Sequence, residues 1–253
     1  MTSGLHTVAI IPARYGSERL PGKPLALIAG RPMIQHVVER TARATLVHRV
    51  LVATDDERVA TAVHAFGGEA VMTPADLKSG TDRIAYVARD MTDADIIVNV
   101  QGDEPLIAPA MIDQAIRPLV QNPELVASTL VRVIQSQDDL QNPGIPKVVL
   151  DRSGNCLYFS RSAVPFVRDL PHNQWLATHR FYKHIGLYVF RRDFLLTYAR
   201  MGQTPLELTE KLEQLRILEH GYALRAVVTE FDSVSVDTPA DLARVRALSE
   251  APS

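Results

Sequence analysis

A chain of 253 residues with a formal net charge of -2, 46% hydrophobic and 22% charged residues has the composition of a globular protein with a sizeable core. The balanced charge argues against wholesale binding to nucleic acid or an anionic membrane, and leaves room for a small anionic ligand held by local charge. A single cysteine, Cys156, excludes an internal disulfide, no apolar run reaches membrane-spanning length, and the N-terminal stretch lacks the charged and apolar regions of a leader; a reducing cytoplasm is the expected setting.

In chain order, the β-branched stretch 7–12 predicts a strand. Helical spacing of Met33, Ile34, Val37, Val38 and Thr41 predicts a helix with Pro32 at its first position. A strand over 49–54, a helix over 57–66 closed by Gly67 and Gly68, and a short strand over 69–72 follow. A helix over 81–89, a strand over 95–100 and a helix from about Pro109 continue the alternation. Strands near Val126 and Lys147, a strand over 182–190, a helix over 206–220 capped by Gly221, a strand over 224–228 and a helix opened by Thr238 and Pro239 complete the chain. The early strands are apolar throughout, as strands buried on both faces of a parallel sheet are. One continuous domain is expected, elaborated around 130–200.

The stretch "IIPARYGSERLPGKPL" ends in Gly22-Lys23 but is not a P-loop. The span from Gly16 to Gly22 is one residue too long, and Pro24 stands where that motif needs a Ser or Thr hydroxyl for Mg²⁺. What remains is a rigid loop at the end of the first strand, where ligands of an open sheet bind. Arg14, Arg19 and Lys23 suit a polyphosphate there, and a solvated basic loop is the alternative. "VNVQGDEPLI" sets Asp103 and Glu104 beyond another strand, where a carboxylate holds Mg²⁺ or simply makes a turn. "VSVDTPADLARV" repeats the placement with Asp237, while Thr238 and Asp241 read as a helix cap. Asp55-Asp56 also follows a strand; Asp56 is read as the N-cap of the next helix rather than as a metal ligand.

Together these stretches, with "VATDDERVA", "SGTDRIA", "KVVLDRSGNCLYFSRSAVPF", "KHIGLYVFRRDFL" and "LEQLRILEHG", resemble the sugar nucleotidyltransferases, and among them the 3-deoxy-manno-octulosonate (Kdo) cytidylyltransferases. The resemblance spans nearly the whole chain. Sialic-acid-type relatives typically continue as Lys-Asn where this chain has Lys23-Pro24. The resemblance implies a Rossmann-like three-layer α/β/α fold with a mostly parallel sheet and an inserted dimerisation elaboration. It also implies a homodimer that joins CTP and Kdo into CMP-Kdo and pyrophosphate, supplying lipopolysaccharide biosynthesis.

By the same resemblance, Arg14, Arg19 and Lys23 contact the triphosphate, and Ala13, Ser79, Thr81 and Arg83 line the base and ribose. Asp103 and Asp237 hold Mg²⁺; Arg14, Lys23, Asp103 and Asp237 form the catalytic set. Gln101, Arg161, His184, Tyr188, Glu213 and Gln214 face the sugar acid. Lys23 and Arg19 are expected to be exposed in the free enzyme, and the two aspartates to repel each other when the metal is absent. Read from residues alone, the sugar-side set is as well explained by core packing, a surface ion pair and a solvated helix face. Cys156 reads as a small buried thiol. Alternatives are transfer to a related sugar acid, such as 8-amino Kdo, a glycosyltransferase using Asp55-Asp56, or a nucleotide sensor without turnover.

Overall fold

The computed structural model describes residues 4–16 and 19–250. Strand β1 (Thr7–Ala13) is followed by a small hairpin of β2 (Leu27–Ile28) and β3 (Arg31–Pro32), then α1 (Met33–Thr41). Next come β4 (Arg49–Thr54), α2 (Glu57–Ala65), β5 (Ala70–Met72), α3 (Gly80–Ala88), β6 (Ile96–Asn99) and α4 (Pro109–Gln121). The second half carries β7 (Ala127–Val133), α5 (Gln137–Gln141), β8 (Lys147–Leu150), β9 (Cys156–Ser160), α6 (Trp175–Thr178), β10 (Tyr182–Arg191) and α7 (Arg192–Tyr198). It closes with α8 (Pro205–Glu210), α9 (Leu215–Glu219), β11 (Arg225–Val228) and α10 (Pro239–Glu250).

The main sheet runs β11-β7-β10-β6-β1-β4-β5, with the β8–β9 hairpin attached to β10. All of these seven strands are parallel except β10, which is antiparallel to both β6 and β7. Period-two side-chain alternation sorts β1 between two cores. Val8 and Ile10 pack with α3 and α7 on one face; Ala9, Ile11 and Ala13 pack with α1, α2 and α4 on the other. This gives the three-layer arrangement. Every parallel strand delivers its carboxyl end to one edge, and the reversed β10 brings its amino end, with His184, to that same edge.

Several boundaries differ from the sequence expectation. Pro32 is the residue before α1, its φ of -55° and ψ of 142° extended, rather than the first helical residue. The single helix expected over 206–220 is two helices, broken where Lys211 takes φ +54°. Helix-forming residues run through the break, so tertiary contacts override propensity. The Glu207–Arg216 pair, buried and doubly hydrogen-bonded, folds α9 back against α8, and Arg161 grips the carbonyls of Glu210 and Lys211. Strand β9 and helices α5, α6 and α7 were not expected from the periodicity. Among the described residues no helix is long and apolar enough to cross a membrane.

Candidate active site

The loop after β1 is shaped by Gly22 and Tyr15. Gly22 has φ +68°, and a Cβ there would lie 3.1 Å from the Tyr15 hydroxyl; any other residue would meet both strain and a neighbour. The Gly22 N–H donates to the Tyr15 carbonyl at 3.2 Å, and the Arg58 guanidinium covers the Tyr15 ring at 3.4 Å. Lys23, Pro24 and Leu25 then make one turn of 3₁₀ helix instead of a long phosphate-binding helix.

That turn aims Lys23 inward. Its Nζ lies 2.6 Å from Asp103 Oδ2 and 3.2 Å from Asp237 Oδ1, and Arg19 reaches the same Asp237 oxygen at 3.1 Å. The expectation of two exposed cations holds for Arg19 only: 65% of the Arg19 side chain is accessible, against 16% for Lys23. The expected repulsion between bare carboxylates is also overturned, because the ammonium sits between them.

The carboxylates come from opposite ends of the chain. At Gly102 a Cβ would stand 2.8 Å from the Pro12 carbonyl, so glycine lets the β6 loop pass close against β1 and present Asp103. Asp237 precedes α10, where Asp241 accepts from the Thr238 N–H and hydroxyl at 2.8 and 2.7 Å; the cap is as read from the sequence and leaves the Asp237 carboxylate free for the site. The Val236 N–H donates to the Asp103 carbonyl at 2.9 Å. Glu104 is buried beside them, and burial, then the Asp103 charge, pushes its carboxyl up to about 7.

Arg14, Arg19, Lys23, Arg83, Gln101, Asp103 and Asp237 line one cavity of about 620 Å³. Arg83 is fully buried, 3.0 Å from Asp55 and bonded to Thr73. Asp56 caps α2, accepting from the Arg58 N–H at 2.9 Å. The Asp55-Asp56 pair is thus committed to Arg83 and to α2, which removes the metal pair a glycosyltransferase reading needed. Of the other nucleotide-side residues, Ala13 is buried at the end of β1. Ser79 caps α3 in a reciprocal box with Asp82, and a separate cavity of about 680 Å³ reaches it.

Two of the sugar-side residues, Gln101 and Glu213, are the ends of one hydrogen-bonded chain that runs through Asn99 and Thr81. Gln101 Nε2 donates to Asn99 at 3.2 Å, Asn99 Nδ2 to Thr81 at 3.5 Å, and the Thr81 hydroxyl to Glu213 at 2.9 Å. Burial first of all raises the Glu213 carboxyl above its ordinary range. The buried Tyr188 hydroxyl donates to Gln214 at 3.1 Å, which leaves Gln214 Nε2 without a hydrogen-bond partner among the described residues. Such an orphaned donor is costly unless a ligand meets it. His184 Nε2 lies 2.8 Å from the Thr129 hydroxyl, which is also within hydrogen-bond distance of the Leu187 carbonyl at 2.8 Å. Burial lowers the His184 pKa to about 3 and keeps the ring neutral. His184 lines a third cavity of about 430 Å³. The third cavity abuts the first where Gly186 meets Gln101, 3.8 Å from a Cβ there. Arg161 stands apart: its three nitrogens donate to the carbonyls of Glu210, Pro143 and Lys211 at 2.7, 2.9 and 3.3 Å.

Asn99 and Tyr15 were not singled out from the sequence as site residues; Glu104 was read beside Asp103 as a carboxylate for Mg²⁺ or a turn, and its carboxyl instead accepts from Ser233. For Asn99 a signal existed: it is a polar residue two before Gln101 in an otherwise apolar strand, hence on the same face. Nothing local marks Tyr15, whose ring is covered by the distant Arg58. Cys156 is buried as expected, and its thiol is pushed far up by that burial.

The donor set fits Mg²⁺. Lys23 demonstrates that Asp103 and Asp237 reach one cation, and among the described residues no cluster of three or more His, Cys, Asp or Glu side chains is formed. Two carboxylates suit an ion that takes its remaining ligands from water and substrate phosphates.

Residues 8–229 match the family model described as Cytidylyltransferase. The chain belongs to this family. It is 60% identical to the 3-deoxy-manno-octulosonate cytidylyltransferase of Geobacter metallireducens over 242 residues, covering 94% of this chain and 95% of the relative. The enzyme of the same name from Trichlorobacter lovleyi is 57% identical over 251 residues, covering 96% and 98%. A solved structure of CMP:2-keto-3-deoxy-manno-octonic acid synthetase in complex with CTP superposes with a TM-score of 0.90 at 44% identity, covering 96% of this chain and 98% of that one. The 4-diphosphocytidyl-2C-methyl-D-erythritol synthase of Anaerococcus prevotii shares the fold, at TM-score 0.62 and 12% identity, over 98% and 97% of the two chains. The α/β/α architecture with a mostly parallel sheet is that of the nucleotidyltransferases.

Proposed function

We propose that this chain transfers CMP from CTP to Kdo, releasing pyrophosphate. The observation that carries the reading is the convergence of Lys23, Asp103 and Asp237 in a cavity also lined by Arg14, Arg19 and Arg83. Cations there neutralise a triphosphate, and two carboxylates hold a divalent ion against it. The anomeric hydroxyl of the sugar attacks the α-phosphorus; the new bond is sugar oxygen to phosphorus, the bond from the α-phosphorus to the oxygen bridging the β-phosphate breaks, pyrophosphate leaves, and the hydroxyl proton passes to water. No protein nucleophile is required, so rate comes from positioning and charge neutralisation. Asp103 and Asp237 would hold Mg²⁺, which would supply charge neutralisation at the phosphates and a lowered pKa for the attacking hydroxyl. Arg14 and Arg19 orient the triphosphate at the open mouth. Lys23 exchanges its carboxylates for phosphate oxygens when CTP and the metal arrive. Ala13, Thr81 and Arg83 flank the nucleoside, and Ser79 sets the start of α3 beside it.

The sugar acid lies where the first and third cavities meet. Gln101, Tyr188, Glu213 and Gln214 offer donors and acceptors to its hydroxyls; neutral His184 closes the far side; Arg161 positions the Lys211 turn that carries Glu213 and Gln214. A pyrophosphate-release assay with CTP and a panel of sugar acids tests the reading. Release with Kdo alone, or with Kdo far above 8-amino and sialic-acid-type acceptors, is expected; release without an acceptor, or preference for another acid, overturns the assignment.

The homodimer belongs to the same reading. Strand β9 pairs only with β8 among the described strands, and Leu157 on it is 59% exposed. The other edge of β9 is tied at the start by the Cys156 N–H bond to the Leu224 carbonyl at 2.8 Å and is open at Leu157, and an open edge with an exposed leucine is a surface that proteins cover. Light scattering on Leu157→Asp, with a monomer expected, tests it.

A further inference from the structure

Asp237 reaches the site on an irregular segment between β11 and α10, with its own N–H tied to Asp241 of α10 at 3.1 Å and nothing regular holding residues 229–236 before it. Its placement depends on ties to other elements. Asp232 accepts from Lys183 Nζ at 3.2 Å and pairs with Arg132. Nearer the site, two consecutive residues grip the segment twice. The Asp103 carbonyl takes the Val236 N–H at 2.9 Å, and Glu104 Oε2 takes the Ser233 hydroxyl at 2.8 Å. Asp237 is the residue directly after this double grip. Both anchors sit in the two-residue unit that carries the other carboxylate, so the distance between Asp103 and Asp237 is set within one local structure.

Glu104 is a costly choice for a merely structural position. It is 7% exposed, and the Ser233 hydroxyl is the one hydrogen bond its carboxyl receives among the described residues. An apolar side chain of similar volume in such a place is often neutral or stabilising. The buried polar group is aimed at the segment that carries Asp237.

We infer that Glu104 is a positioning residue for the transfer reaction: through Ser233 it fixes the 233–237 segment so that Asp237 meets the cation shared with Asp103. The inference rests on the placement of Asp237 given above. Because the latch acts on Asp237, its loss weakens the affinity for the metal while leaving the reacting groups intact.

The test compares Ser233→Ala, Ser233→Thr, Glu104→Leu, the double variant Glu104→Leu/Ser233→Ala and Asp237→Asn in the full chain. Two readouts are used: the Mg²⁺ concentration for half-maximal pyrophosphate release at saturating CTP and Kdo, and amide hydrogen exchange at Val236 in metal-free protein. Ser233→Ala should raise the half-saturating Mg²⁺ about five- to tenfold, with kcat recovered at high Mg²⁺, and accelerate Val236 exchange several-fold. Ser233→Thr, which keeps the hydroxyl, should restore both. The double variant should behave like the worse single variant, because the two residues act through one bond. Wild-type metal dependence and wild-type Val236 exchange in Ser233→Ala, with Asp237→Asn severely impaired, would overturn the latch and leave the Asp237 reading standing. Wild-type metal dependence in Asp237→Asn would overturn that reading, and with it the catalytic meaning of the latch. Misfolding of Glu104→Leu would not rescue the inference, since Ser233→Ala decides it.

Discussion

The two halves of the candidate site are built differently. On the phosphate side, Lys23, Arg19, Asp103 and Asp237 satisfy one another by ion pairs across an open cavity, and each partner can be exchanged for substrate or metal. On the sugar side, Gln101, Asn99, Thr81 and Glu213 form a continuous hydrogen-bonded chain that ends in half-buried or buried residues, with Tyr188 and Gln214 paired beside it. The exposed Arg19–Asp237 pair is cheap to separate, and the largely covered Lys23 can trade its carboxylates for phosphate oxygens without losing a charged partner; buried polar groups have no such exchange. The phosphate side is therefore poised to rearrange on binding, and the sugar side is preorganised for an acceptor whose hydroxyls replace no ion pair.

The contrast is broken most sharply at the metal ligands. Asp237→Asn should lower turnover by about two to four orders of magnitude, a scale typical of a lost charge-stabilising group. The metal-free protein should lose a little stability, since Lys23 and Arg19 lose a partner. Turnover within threefold of wild type at saturating Mg²⁺ would remove Asp237 from the site. Next, Lys23→Ala should reduce kcat/KM for CTP about 100-fold and lower the Tm in EDTA, because Asp103 and Asp237 then face each other without the ammonium. Mg²⁺ with CTP should recover the lost Tm; an unchanged Tm in EDTA would contradict the bridging geometry.

On the sugar side, Tyr188→Phe should raise the KM for Kdo about tenfold with the KM for CTP unchanged. It should also cost about 1–3 kcal/mol of stability, since buried Gln214 loses its partner. A selective CTP defect would place Tyr188 on the wrong side. The His184 imidazole supplies a pH test. Its pKa is lowered from 6.5 to about 3 in the folded protein. Above pH 6.5 the ring is neutral folded or unfolded; below it the unfolded chain binds a proton that the folded chain refuses, and stability falls as pH falls. Between pH 6 and 4 the loss should approach about 1 kcal/mol per unit. His184→Gln should flatten that limb of the Tm profile, which Glu104 in the same cavity opposes, since its raised carboxyl takes up a proton first in the folded protein. Smallest of all, Arg19→Ala at the exposed mouth should change stability by less than about 0.5 kcal/mol and raise the KM for CTP only a few-fold.

How legible each half was in the sequence follows from the same contrast. The phosphate side follows a contiguous motif: a strand, a glycine turn and Lys23, with aspartates at the ends of two further strands, where parallel-sheet geometry makes them converge. Short strands that are apolar throughout likewise marked the parallel core. The reversed β10 was not marked, because an apolar strand looks alike in either direction. The Lys211 break was hidden under strong helix formers, and its cause, the fold-back of Arg216 onto Glu207 and the grip of Arg161, is tertiary. The carboxylate bridging by Lys23 was also invisible, since motif spacing says which residues meet but not which way an ammonium points in the free protein. Ser233 and Glu104 lie 129 positions apart, and no local pattern links them.

The central claim is that Lys23, Asp103 and Asp237 form one cation-dependent triphosphate site for cytidylyl transfer. Its most direct test is pyrophosphate release measured with CTP, Kdo and Mg²⁺, and again with each omitted in turn or with ATP in place of CTP. The account predicts release only when all three are present, loss of release in EDTA restored by Mg²⁺, and little release with ATP. Undiminished release in EDTA, or equal release with ATP, would contradict it.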